Sequence, residues 1–258
     1  MTRPLAILHN TTRELRLILV NAVIFLTLTI VGITSKLIGN HIDIATQYLD
    51  MPTDLQSLLT RPWTLMTYMF THTDVWHCVF NMMWLYWFGA MYSRVGAGRN
   101  ILYTYIAGGV GGALLSIAAH LMWPTLNADY LEGASAAVMA IVATVACSAP
   151  NMPVNLMLLG RVKVKWIALV TLVIFACGLT GSTPGSHLAH LGGMATGALC
   201  TLIARYYHRR HPSPAPHTLT TSQARAELDR LLSKVKQSGY SSLTAAERQR
   251  LIELSHQV

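Results

Sequence analysis

Ser135, in the run Glu132-Gly133-Ala134-Ser135-Ala136-Ala137, and His190, in Ala189-His190-Leu191-Gly192-Gly193, each stand at the edge of a long apolar stretch. A hydroxyl and an imidazole are the minimal parts of a nucleophile with its own base. Placed in lipid-length helices they are costly for packing alone. If the two meet at one depth, Ser135 can attack a scissile carbonyl while His190 takes its proton and later returns it to the leaving amine. Charge developing on the carbonyl oxygen needs donors, and His77 and Asn81, spaced i, i+4 and so on one helix face, can supply them. A backbone N–H at the open start of the Ser135 helix is a further donor. The apolar stretches that hold Ser135 and His190, and the one between them, carry no Asp or Glu, so a Ser–His dyad is the economical arrangement. On the residues alone, His120 and His187 are alternative bases. A lone membrane serine commonly bonds its own backbone carbonyl one turn back.

The elements that must position these groups follow from composition. The chain has 258 residues, 52% hydrophobic and only 12% charged. With a mean hydropathy of +0.41, it reads as an all-α polytopic membrane protein, since soluble domains run nearer a quarter charged. Six apolar stretches approach the ~17 to 23 residues that cross a bilayer as helices: Leu17–Ser35, Val75–Met91, Ile101–Trp123, Gly133–Ala149, Val164–Gly181 and His187–Tyr207. The first is too long for a signal-peptide core and lacks a clear small-x-small cleavage site, so it reads as a retained helix.

The net charge of +8 suggests nucleic acid until its distribution is read. Arg3, Arg13 and Arg16 precede the first stretch, Arg94 and Arg99 follow the second, Arg161, Lys163 and Lys165 lie between the fourth and fifth, and Arg205, Arg209 and Arg210 end the sixth. The alternate connections carry mainly acids: Asp43, Asp50, Asp54 and Asp74 with Arg61, then Asp129 and Glu132. This is the positive-inside pattern, and it puts both termini in the cytoplasm of a cell-membrane protein. The partner it implies is a lipid bilayer, not nucleic acid. Cys78, Cys147, Cys177 and Cys200 fall singly within apolar stretches and show neither disulfide nor metal spacing.

With the amino terminus inside, stretches two, four and six enter from the outer face. His77, Asn81, Ser135 and His190 then lie within roughly 3 to 9 Å of the outer boundary at ~1.5 Å rise per residue. Ala189, Gly193 and Gly197 form one small-residue ridge, and Ala136, Ala140 and Ala143 another. Such ridges let helices approach closely in lipid. The first outer connection holds Trp63, Tyr68, Met69 and Phe70, which suit an amphipathic element resting among headgroups.

Three domains are expected: a membrane domain over 1–207, a Pro-rich linker over 208–219, and a cytoplasmic helical hairpin over 220–258. In the hairpin, Leu228, Leu231, Leu232 and Val235 recur at helical spacing. Gly239 supplies a stop, and Thr244 with Glu247 forms a capping box before Leu251, Ile252 and Leu254. A hairpin of ~40 residues is near the lower limit for folding alone and should dock on a partner, which the sequence does not identify. His208, His211 and His217 read as solvated linker residues.

The motifs His77-x-x-x-Asn81, Gly133-x-Ser135 and Ala189-His190-x-Gly192-Gly193 with Gly197 resemble those of the rhomboid family of intramembrane serine proteases. The likeness covers roughly Leu15 to Tyr207 and includes motif order, six crossings and a long outer first loop. It implies that Ser135 is the nucleophile, His190 the base, and His77 and Asn81 oxyanion-side residues. It further implies single-span membrane-protein substrates cut near the outer end of their helices, and neither a metal nor an organic cofactor. The chain departs from the family pattern in three places. Ala136 stands where a glycine is common, and Met139 stands where an aromatic residue often packs on the base. Arg61-Pro62-Trp63 replaces the usual Trp-Arg pair. With Met139 in that place, weaker orientation of the base is expected.

Overall fold

The computed structural model describes residues 12–39, 45–95, 101–124, 130–156, 160–180, 184–210 and 221–255. The chain divides into two compact units, Met1–Arg205 and Tyr206–Val258.

In the first unit, α1 (Arg13–Leu37) is followed by a π turn (Ala45–Leu49), β1 (Met51–Pro52), the short helices α2 (Leu55–Thr60) and α3 (Thr64–Thr67), and a 3-10 turn (Tyr68–Phe70). Then come α4 (Val75–Arg94), α5 (Ile101–Met122), β2 (Tyr130–Leu131) and α6 (Ser135–Ser148). A hairpin of β3 (Pro153–Leu156) and β4 (Gly160–Lys163) leads to α7 (Val164–Gly178) and α8 (Pro184–Arg210). Each of the six apolar stretches is thus helical. Among the described residues α1, α5 and the Pro184–Tyr207 part of α8 are long and apolar enough to cross a membrane, while α6 and α7 are shorter apolar helices.

The organising element is α6, in which every residue from Ala136 to Val145 is buried. It is gripped by small residues on two sides. On α5, a Cβ at Gly112 would come within 2.8 Å of the Ala136 Cβ, and one at Gly108 would collide with the Ala140 Cβ. On α8, a Cβ at Gly193 would lie 2.8 Å from the Ala136 carbonyl carbon, and one at Gly197 would lie 2.7 Å from that of Ala140. Backbones can approach this closely only where side chains are absent, and dispersion between them holds helices together where lipid removes any hydrophobic drive. The α6–α8 ridges match the spacing read from sequence. The Gly108/Gly112 ridge on α5 is an addition that the sequence reading lacked.

The connection between α1 and α4 departs from expectation. Tyr68 and Met69 do not lie on a surface: they are 1% and 0% exposed. The Tyr68 hydroxyl donates to the Gly109 carbonyl at 2.6 Å, and the Met69 side chain fills the space beside Gly109. The Tyr105 hydroxyl in turn donates to the Met69 carbonyl at 2.6 Å. A glycine on α5 leaves a socket, and buried polar groups must find partners there. Trp63 does stay half exposed, its indole N–H donating to the Tyr48 carbonyl at 2.8 Å.

In the second unit, α9 (Thr221–Ser238) and α10 (Ala245–Ser255) close on Leu231, Leu243 and Leu254, with Leu228, Val235 and Leu251 packed around them. Gly239 makes the reversal at φ +80°, a backbone region that favours glycine. The capping box forms: the Thr244 N–H donates to Glu247 at 2.9 Å and the Glu247 N–H to the Thr244 hydroxyl at 3.2 Å. Lys234 pairs with the same carboxylate at 2.7 Å and draws its pKa down to about 2. Leu232 and Ile252 face outward. The Pro-rich segment and the linker histidines His211 and His217 lie outside the described residues.

Candidate active site

Ser135 is the first residue of α6, and its position is set by the three residues before it. Gly133 has φ +94°, a left-handed conformation that a side chain strains. A Cβ there would also stand 2.6 Å from the His77 ring. The Gly133 N–H donates to the Tyr68 carbonyl at 2.9 Å and the Ala134 N–H to His72 Nε2 at 3.3 Å. One step earlier, Leu131 and Tyr130 pair with Met51 and Pro52 in a two-stranded ladder. The backbone entering Ser135 is therefore bound on both sides before the helix starts. The N–H groups of Ser135, Ala136 and Ala137 then have no carbonyl available within their own helix.

Across from it, His190 sits one turn and a half into α8. Its Nε2 lies 2.6 Å from the Ser135 hydroxyl oxygen. Both residues are half-buried. His190 Nδ1 is buried with no hydrogen-bond partner among the described residues, so no carboxylate orients this ring. What touches its face is Phe175 of α7, with ring centroids 4.3 Å apart at 40°. His187 lies one turn away, its ring 6.0 Å from that of His190, and packs against Gly178 of α7 instead.

His77 and Asn81 share one face of α4. Asp74 caps that helix by accepting the His77 N–H at 2.6 Å. One N–H of the Asn81 side chain donates to the His77 carbonyl at 3.0 Å, which leaves its second N–H for another acceptor. The His77 ring stands over Gly133 and edge-on to His72 at 5.3 Å, and its Nδ1 lies 3.9 Å from Glu132. A hydroxyl paired with an imidazole, beside a free helix N-terminus and amide and imidazole donors, has the parts for acyl transfer.

A family model described as a Rhomboid domain matches residues 59–207. The chain belongs to the rhomboid family. Among its relatives, RHOMBOID-like protein 12, mitochondrial, of Arabidopsis thaliana is 31% identical over 157 residues, covering 53% of this chain and 44% of the relative. RHOMBOID-like protein 4 of the same organism is 29% identical over 163 residues, covering 60% of this chain and 39% of the relative. The matched part thus spans less than half the length of either curated relative. A second family model, a family of unknown function (DUF6576), matches residues 221–257, the α9–α10 hairpin.

Two residues of this rhomboid stand at the site without having been singled out in its sequence. Phe175 follows Val164, Ala168 and Thr171, the buried residues of α7, at alternating steps of four and three, so it lies on the inward stripe of that helix. His72 sits five residues before His77 in an aromatic-rich loop, and nothing in that spacing reveals that it accepts the Ala134 N–H. The methionine at position 139 is buried in α6, and the aromatic contact to His190 comes from α7.

His72 gives a pH-dependent expectation. Burial, with the nearby His77 adding to it, pushes its pKa from 6.5 down to about 4. The folded chain holds it neutral, as an acceptor for Ala134 must be, while the unfolded chain takes up a proton below 6.5. Its contribution to stability is therefore full above pH 6.5 and is lost as pH falls toward 4. His72→Leu leaves the buried Ala134 donor unpaired, a cost of about 1–3 kcal/mol. Thermal unfolding of this variant in detergent should show a lower Tm at pH 7.5 and a shallower decline between pH 6.5 and 4 than the parent.

Proposed function

We propose that this rhomboid is an intramembrane serine endopeptidase that cuts single-span membrane proteins near the outer ends of their helices. The observation that carries the reading is the 2.6 Å pairing of the Ser135 hydroxyl with His190 Nε2. In the proposed cycle Ser135 Oγ bonds to the scissile carbonyl carbon as His190 accepts its proton. The oxyanion so formed is met by the Ser135 N–H, the second Asn81 N–H and the His77 ring. Collapse breaks the C–N bond, and His190 hands its proton to the leaving amine. Water, activated by the same imidazole, then hydrolyses the acyl-enzyme.

Six crossings with both termini in the cytoplasm, the hairpin of α9 and α10 among them, follow from the positive-inside pattern. The site then opens to the outer side of the cell membrane. The short α6 supports water access: its 14 residues rise ~21 Å against a hydrocarbon core of ~30 Å. Its first residue therefore starts below the boundary, where a water-filled recess can reach it.

The test is incubation of the purified chain in lipid bicelles with a single-span test substrate, together with a serine-directed fluorophosphonate. Cleavage should be seen, and Ser135 should be labelled in the parent and in His187→Ala. An uncut substrate, or labelling that survives Ser135→Ala, overturns the reading. A reporter fused after Val258 should be cytoplasmic; an external signal overturns the orientation.

A further inference from the structure

We infer that Phe175 is the positioning residue for the His190 imidazole, a role resting on the endopeptidase reading above. An imidazole that must accept a proton at Nε2 needs its ring plane fixed, and this is ordinarily done by an acceptor on Nδ1. His190 Nδ1 has no such partner among the described residues. The ring is instead bounded by the serine hydroxyl at one edge and by an aromatic face at 4.3 Å. The aromatic ring against this imidazole is Phe175 on α7, while position 139 on the serine's own helix is a methionine.

Phe175 is itself held in place. His187 lies 6.0 Å from it and fills the space over Gly178, so the outer end of α7 is fastened to α8 by one histidine while its phenylalanine lies against the other. Elsewhere α7 meets the protein along one stripe: Val164, Ala168 and Thr171 alone among its described residues are buried, while Trp166, Leu169, Val170, Leu172, Val173 and Ile174 are exposed. The alignment of the base thus depends on a helix that contributes no reacting atom. Displacing the outer end of α7 would free the imidazole to rotate away from Ser135 even with α6 and α8 still packed.

The experiment uses the purified full chain in bicelles and compares Phe175→Ala, Phe175→Leu and Phe175→Tyr. It reads the second-order rate of fluorophosphonate labelling of Ser135, and kcat and KM on a single-span test substrate. Phe175→Ala should label about 10- to 100-fold more slowly, as expected when a reacting group is misplaced by a fraction of an ångström. Its kcat should fall by the same factor with KM changed less than threefold. Phe175→Tyr should stay within threefold of the parent, because the ring is what is required. Phe175→Leu keeps apolar bulk against His187 and Gly178 and should still lose about tenfold. That variant keeps the test decisive if Phe175→Ala does not fold. Parent-like labelling by Phe175→Ala, or equal rates for Phe175→Leu and Phe175→Tyr, overturns the inference. If the parent itself neither labels nor cleaves, the endopeptidase reading has failed instead.

Discussion

Ser135→Ala should slow cleavage of a single-span substrate by about 10⁴-fold or more, and adding His190→Ala to it should slow cleavage no further. On the proposed endopeptidase reading the two side chains act as one unit: without the hydroxyl there is nothing for the imidazole to deprotonate, and without the imidazole the hydroxyl is an ordinary alcohol. Removing either part of such a unit costs about as much as removing both. Each single variant and the double variant should therefore share one residual rate, set by the oxyanion donors and substrate binding. The fold should tolerate the change. Among the described residues the Ser135 hydroxyl bonds to His190 and to no other side chain, and the start of α6 is fixed by backbone bonds from Gly133 and Ala134. Tm should move by no more than a few degrees. A double variant slower than both singles by a further factor of ten would mean that the two residues act in separate steps.

Gly193→Ala is the second large effect, and it acts through spacing instead of chemistry. The added Cβ would lie 2.8 Å from the carbonyl carbon of Ala136 and 3.1 Å from its Cα, which is backbone and cannot turn aside. Overpacking of this kind costs typically ~1–3 kcal/mol, and relief requires α8 to move outward from α6. His190 lies one turn before Gly193 on α8, so it moves with the helix. A shift of about 1 Å at a reacting pair is enough for ~10²-fold in rate. Labelling of Ser135 and substrate cleavage should fall together by about that factor, with a measurable drop in Tm. Gly32→Ala in α1 is the control. Nothing lies within 4 Å of its Cβ, so activity should be unchanged and Tm equal or slightly higher. Full activity in Gly193→Ala would show that the pair is not spaced by this contact.

The sequence disclosed what periodicity and scarcity disclose. Six apolar stretches are helices because their length and composition leave few alternatives, and Ser135 and His190 stood out because polar groups in such stretches are rare. The small-residue ridges on α6 and α8 were legible as spacing. Contacts that depend on which way a residue faces were not. Tyr68 and Met69 look like interfacial aromatics and apolar neighbours in a loop, yet a socket at Gly109 on a distant helix draws them inward. Phe175 is one of many large apolar residues on α7, and only the packing of that helix against α8 places its ring on that of His190. His72 required the path of the backbone before Ser135 to be known. The β3–β4 hairpin is built on four residues per strand with scattered charge, too short a pattern to distinguish from a turn.

The burial of α6 also bears on how the protein is made. Ser135 and His190 are 55 residues apart in sequence, and His190 arrives on α8, the last helix of the first unit. While the chain is still being synthesised, Ser135 emerges before His190, and α6 has α4 and α5 to pack on but not α8. The pair assembles when α8 inserts and its glycines close on the far side of α6. On the proposed endopeptidase reading, a nascent or prematurely terminated chain carries a serine without catalytic power. On that reading, the order of translation acts as a safety catch, released by α8.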